Sequence, residues 1–208
     1  MELTKRDALL IVDVQNDFLP GGALAVSEGD QVIPVINLIQ DKFDFIVATQ
    51  DFHPADHKSF AANHEAGEIG QLIEWQGNLQ ILWPVHCVQQ THGTEFHLSL
   101  DQKKWKAVIR KGTNPDFDSY SGFFDNSYQI DTGLAEYLKR HGIDRVFICG
   151  LALDYCVKFT ALDAKELEFD TYLITDATRA VNLNPEDGID ALADLEAAGI
   201  KLITSKEL

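Results

Sequence analysis

Five short segments carry side chains that could do chemistry together. LLIVDVQNDF ends an apolar run on Asp13, TQDFHP offers Asp51 and His53, LWPVHC offers His86, VIRKGT offers Lys111, and CGLALDYCVKF offers Cys156. Cys156 lies near the start of an expected helix over 154–166, where unpaired N–H groups and the positive dipole end favour a thiolate. A lysine beside it would favour the thiolate further, and Asp13 could take the thiol proton, which makes the three an activated nucleophile. Asp51 and His53 are two residues apart in an extended segment, so their side chains leave the same side of the backbone and can grip one ion. His86 would complete a two-histidine, one-carboxylate set of the kind that suits Zn, Fe or Mn and leaves positions open. The residues alone leave His57, His64 and His92 as rivals for that third place. Each segment also has a plainer explanation: a strand-end Asp is often a turn residue, and a buried Cys is often a small hydrophobe. For Cys149, inside VFIC, and for Cys87, after His86, packing is the expected role.

These residues must be positioned by something, and the pattern of elements says what. Short β-rich runs at 8–14, 45–49, 106–110, 145–149, 171–175 and 201–204 alternate with segments of helical period. A helix over 31–41 carries Val32, Val35, Ile36 and Ile39 on one face, with Pro34 tolerated in the first turn. Another over 132–141 places Leu134, Tyr137 and Leu138 at i, i+3, i+4 and ends at Gly142. A third over 185–198 has Asn184 as N-cap, Pro185 at the first position, and stops at Gly199. Strands alternating with helices imply an α/β fold: one domain spanning 1–208, with about six parallel strands and helices on both faces. Ligands of such a sheet bind beyond the carboxyl ends of its strands. Asp13, Asp51, Lys111 and Cys156 all lie at strand ends or in the turns that leave them, and that convergence is the strongest sequence signal. The long irregular region 51–93 holds five of the seven histidines, and a long loop in a compact domain is usually functional.

Composition narrows the function classes. The 208 residues include 33 acidic and 17 basic side chains, a formal charge of −16. Such acidity repels phosphate backbones, so a nucleic-acid partner is not expected. The longest apolar stretches, such as residues 8–12, are far short of the ~20 residues that cross a bilayer, so no membrane partner is expected either. No secretory leader is recognisable, and three cysteines without a C-x-x-C spacing argue against a disulfide framework; the expected compartment is the cytoplasm.

VDVQNDFLPGG, TQDFHPADHKSF, WPVHCVQ, RKGTNPDFDSYSGF and CGLALDYCVKFTALDA closely resemble the nicotinamidases, also called pyrazinamidases, of the isochorismatase-like cysteine hydrolases. The resemblance spans nearly the whole chain, with its segments in the family's order. It implies hydrolysis of nicotinamide to nicotinate and ammonia, a step of NAD salvage, and action on pyrazinamide. Carried over position by position, it makes Asp13 the acid and base, Lys111 the third triad member and Cys156 the nucleophile. It implies one divalent metal per chain, with zinc ahead of iron or manganese, held by Asp51, His53 and His86. Ser59 matches the position that holds a metal-bound water, and His57, nearer to His53 than the extra histidine of some relatives, is expected just outside the ligand set. Leu151 and Ala152 match a site where the family has a cis peptide, which turns the Ala152 N–H toward the substrate; with the Cys156 N–H it would form the oxyanion hole. Phe18, Leu24, Trp83 and Tyr120 match positions that enclose a flat ring.

Two rival readings remain at this stage. One is a related cysteine amidohydrolase acting on a carbamoyl or ureido compound; a substrate with a free carboxylate would want an arginine in the pocket, and only Arg179 is placed to approach it. The other is a non-catalytic binding relative, which would be expected to lack part of the triad, whereas all three members are present. A homo-oligomer is compatible with everything above.

Overall fold

A computed structural model describes residues 1–208. The strands are β1 (Asp7–Val12), β2 (Phe45–Asp51), β3 (Leu72–Trp75), β4 (Asn78–Ile81), β5 (Ala107–Lys111), β6 (Arg145–Leu151), β7 (Asp170–Arg179) and β8 (Lys201–Ile203). The α-helices are α1 (Val32–Gln40), α2 (Leu134–Arg140), α3 (Lys158–Glu166) and α4 (Asp187–Ala197). Six strands form one sheet in the order β5-β2-β1-β6-β7-β8, and every neighbouring pair is parallel.

The period of two in the strands sorts the core into two layers. Leu9, Ile11, Ile46, Ala48, Phe147 and Cys149 face α1, whose Val32, Ile36 and Ile39 repeat at helical spacing. Ala8, Leu10, Val12, Val47 and Ile148 face the other way, onto Leu134 and Leu138 of α2, Ala161 and Ala164 of α3, and Leu195 of α4. Helices thus cover both faces, as the alternating pattern requires of a parallel sheet. No helix is long and apolar enough to cross a membrane.

The strand order also locates the site. From β1 the chain builds outward through β2 to β5, and from β6 it builds the opposite way through β7 to β8. The direction reverses between β1 and β6, and such a switch point leaves a crevice at the carboxyl ends of the two strands. Asp13 follows β1 and Cys156 follows β6, so the crevice has one reactive side chain from each wall.

Several boundaries differ from the sequence expectations. β1 stops at Val12, two residues early, because Asp13 turns into the left-handed region at φ 47°. Beside it, Gly150 adopts φ +112°, and a Cβ there would collide with the Val12 carbonyl, so glycine alone permits this approach of β1 and β6. The peptide bond between Leu151 and Ala152 is cis. Cys156 does not open an α-helix: it sits inside a π-helical turn, Leu153–Val157, that leads into α3. Helix α4 begins at Asp187, not at Pro185, because the Asp187 carboxylate accepts the Asn184 N–H at 2.8 Å and closes a turn ahead of the helix. The region 51–93 also contains a small antiparallel hairpin, β3–β4, apart from the main sheet.

Candidate active site

At the centre of the crevice Lys111 reaches three partners that the sequence separates widely. Its Nζ lies 2.9 Å from Asp13 Oδ2, donates to Asp51 Oδ1 at 2.5 Å and to the Ser119 carbonyl at 2.7 Å, and sits 3.3 Å from Cys156 Sγ. The pairing of Asp51 with Lys111 across β2 and β5 sets that position. The approach to Asp13 Oδ2 is an ion pair without hydrogen-bond geometry, and that oxygen has no hydrogen-bond donor. Asp13 Oδ1 accepts the Thr49 hydroxyl at 2.7 Å. A carboxylate oxygen of Asp13, one of Asp51 and Cys156 Sγ lie within 4.8 Å of one another.

Burial dominates the proton affinities. It pushes the Asp13 carboxyl above its ordinary value, with Asp51 adding to the rise and Lys111 and Thr49 opposing it. Burial would lower Lys111, but Asp13 and Asp51 outweigh it and keep the ammonium firmly charged. The Cys156 thiol is pushed well up, first by burial and then by Asp13 and Asp51, against Lys111. The π turn that buries Cys156 beside two carboxylates thus works against the thiolate that the sequence leads one to expect, while Lys111 works for it. Cys87 and Cys149 are both fully buried among apolar neighbours, as expected for packing residues.

Next to this cluster, Asp51, His53 and His86 converge. His53 Nδ1 lies 2.8 Å from the Gly112 carbonyl and His86 Nδ1 2.8 Å from the Pro84 carbonyl. Each contact fixes a tautomer that turns Nε2 toward Asp51 Oδ2, at 3.5 and 3.9 Å respectively. Buried His53 Nε2 has no hydrogen-bond partner in the chain. Gly112, at φ +62°, lets the His53 ring lie against its backbone, where a Cβ would strike the ring. Burial, reinforced by His53, brings His86 down to about 4, so it is neutral and able to donate a lone pair. Asp51 lies far below the carboxylate range: burial alone would raise it, but Lys111 and His53 outweigh that. A carboxylate, two oriented neutral-capable imidazoles and an orphaned nitrogen fit a divalent transition metal. His57 is also close, its ring centroid 4.3 Å from that of His53. Its Nδ1 is 2.7 Å from the Ser59 hydroxyl and its Nε2 3.3 Å from the Phe117 carbonyl, so both ring nitrogens already have partners. Those contacts set it and Ser59 outside the three converging groups.

A narrow cleft opens onto both clusters, lined by Phe18, Leu24, Asp51, Trp83, His86, Asp118, Tyr120, Ala152, Tyr155, Cys156 and Val181. All four residues expected to enclose a ring are there. Trp83 Nε1 donates to the Tyr120 hydroxyl at 3.1 Å, and Trp83 meets Tyr155 edge to face at 4.9 Å, so the aromatic walls brace one another. Ala152 accepts the Tyr155 and Val157 N–H groups through its carbonyl, at 3.1 and 3.0 Å, while its own N–H has no partner in the chain. No arginine lines the cleft; Arg179 turns away to Gln31, Thr178 and Glu28. Sequence reasoning missed Thr49, Asp118, Tyr155 and Val181. Thr49 and Tyr155 had a signal, since Thr49 shares a strand face with Asp51 and Tyr155 adjoins Cys156. Val181 and Asp118 had none.

The Isochorismatase domain family matches residues 7–207. The nicotinamidase of Escherichia coli K12 is 48% identical over 203 residues, covering 95% of this chain and 94% of that protein. The structure of a nicotinamidase/pyrazinamidase of Acinetobacter baumanii superposes with a TM-score of 0.96 at 43% identity, covering 99% of each chain. That of the pyrazinamidase of Pyrococcus horikoshii, in complex with zinc, superposes with a TM-score of 0.78 at 40% identity, covering 96% of this chain and 99% of that one.

Proposed function

This chain belongs to the isochorismatase family, and from that membership and the shape of its cleft we propose that it is a nicotinamidase, hydrolysing nicotinamide to nicotinate and ammonia and acting on pyrazinamide as well. The observation that carries the proposal is one aromatic-walled slot whose lining brings together Cys156, Asp51 and His86. A flat heteroaromatic amide fits that slot with its carboxamide over the sulfur and its ring toward the imidazole. A carbamoyl amino acid would bring a carboxylate to a wall that offers it no arginine.

Catalysis starts with transfer of the Cys156 thiol proton to Asp13, whose buried carboxyl has the raised proton affinity a base and acid needs. The sulfur attacks the carboxamide carbon, and the oxygen that becomes anionic is received by the free Ala152 N–H and the Cys156 N–H. Such a donor is typically worth ~100 to 1,000-fold in rate. Asp13 returns the proton to the departing nitrogen, ammonia leaves, and a thioester remains on Cys156. Water deprotonated by Asp13 then cleaves the thioester, giving nicotinate and the free thiol. Lys111 stays charged throughout, bridging Asp13 and Asp51 and biasing the sulfur toward thiolate as the proton departs. Asp51, His53 and His86 would hold a divalent ion, proposed to be zinc, which would supply a Lewis acid for a ring nitrogen. The test is direct: purified protein supplied with nicotinamide should release ammonia and nicotinate in equal amounts. Faster release from a carbamoyl amino acid than from nicotinamide would overturn the substrate assignment while leaving the family intact.

A further inference from the structure

Two residues before the nucleophile, Asp154 sits in the same π turn with its carboxylate nearly buried. It does not line the cleft. Its two oxygens are spent on consecutive backbone groups from elsewhere: Oδ1 accepts the Val181 N–H at 2.9 Å and Oδ2 accepts the Asn182 N–H at 2.8 Å. These N–H groups belong to the segment that leaves β7 and crosses toward α4. The far end of the segment is fastened too. Asn182 adopts φ 54°, and its side-chain oxygen accepts the Gly188 N–H at 2.9 Å, in the first turn of α4. Val181, whose own N–H and the one that follows are both held by Asp154, lines the cleft with Ala152, Tyr155 and Cys156.

A residue whose flanking peptide N–H groups are both captured is fixed in place, and here that residue is a wall of the substrate site. The geometry points to Asp154 as a positioning residue that registers Val181 against the substrate ring, coupling the turn that carries the nucleophile to the wall that holds its target. Two parallel N–H donors need two acceptor oxygens. An asparagine would offer one oxygen and turn an NH2 group against the second donor, so Asp154→Asn loosens the segment with almost no change in side-chain volume. This assignment rests on reading the cleft as the amide site.

Steady-state kinetics on the metal-loaded full-length enzyme separates a positioning role from a purely structural one. Asp154→Asn should raise the KM for nicotinamide about tenfold while kcat falls less than threefold, the signature of lost ring binding with the chemical step intact. Val181→Ala should raise KM in the same way, and adding it to Asp154→Asn should change KM less than twofold further, because both act through one wall. Asn182→Gly tolerates the left-handed backbone, cuts the other tie and leaves the nucleophile turn untouched; it should reproduce a smaller KM rise even if Asp154→Asn fails to fold. Effects of Asp154→Asn and Val181→Ala that multiply would overturn the assignment. So would a lowered melting temperature with unchanged KM, or an Asn182→Gly enzyme with wild-type KM. Failure of the wild type to hydrolyse nicotinamide would instead strike the substrate reading, and the same KM comparison would then be made with whichever amide it does hydrolyse.

Discussion

Strand β1 begins on one buried aspartate and is followed at once by another, and the two are opposites. Asp7, at the amino end, accepts Arg145 through both oxygens, Nε and Nη2 each at 2.5 Å, and the Thr4 N–H at 2.5 Å. Burial alone would raise its pKa, but the hydrogen bonds from Arg145 and Thr4 hold it below the ordinary 3.8. Asp13, six residues on, has one hydroxyl donor, an imperfectly aligned lysine and a second carboxylate nearby, and its pKa is raised. A carboxylate whose lone pairs are all occupied is a structural anchor; one left short of donors keeps a use for a proton. The same contrast marks the two ends of the sheet. The orphaned oxygen of Asp13 and the orphaned nitrogen of His53 both lie at the carboxyl end.

The largest effects should fall at the carboxyl end and be kinetic. Cys156→Ala removes the nucleophile and should cut kcat by at least ~1,000-fold with the circular-dichroism spectrum and substrate binding retained. Activity within tenfold of wild type would remove Cys156 from the mechanism. Asp13→Asn should cost ~100 to 10,000-fold in kcat, the range for a lost acid–base group, with the fold retained because Lys111 keeps Asp51 and the Ser119 carbonyl as partners. If Asp13→Asn instead unfolds the protein while turnover per folded molecule persists, the contrast with Asp7 is wrong. His86→Ala should abolish stoichiometric metal in elemental analysis of protein purified without added metal, whereas His57→Ala should retain most of it; the reverse result would exchange their roles.

At the amino end the effects should be smaller and thermodynamic. Asp7→Asn should leave kcat/KM unchanged and lower stability by about 2 kcal/mol, read as a shift in urea midpoint, because Arg145 loses its charged partner. The folded pKa of Asp7 is depressed, so its contribution is present above the unfolded carboxylate value and is lost as pH falls through the folded value. The stability gap between wild type and Asp7→Asn should therefore be full near pH 7 and shrink as pH drops below about 4. A gap that widened on acidification would contradict the ion-pair account.

Much of this molecule was legible in the residues. Period-two strands, period-3.6 helices and an alternating order lead to a parallel α/β sheet by local pattern alone, and a parallel sheet puts chemistry at its carboxyl ends. Asp13, Asp51, His53, Lys111 and Cys156 could be singled out on that basis, and resemblance to known motifs chose His86 over three other histidines. What local pattern could not supply was register between distant segments. Asp51 stands opposite Lys111 because β2 and β5 pair in one alignment, and Asp13 approaches the turn carrying Cys156 because Val12 pairs with Gly150. The same holds for Val181, an ordinary residue in a connection, which becomes a wall of the cleft only because Asp154 captures the backbone around it. The thiol's raised proton affinity belongs here too: a sequence shows that a lysine is available, but burial and two nearby carboxylates exist only after the chain has folded. Side-chain period and turn chemistry act over a few residues and are written in the sequence; pairing register and desolvation act between segments up to a hundred or more residues apart, and only the assembled tertiary structure decides them.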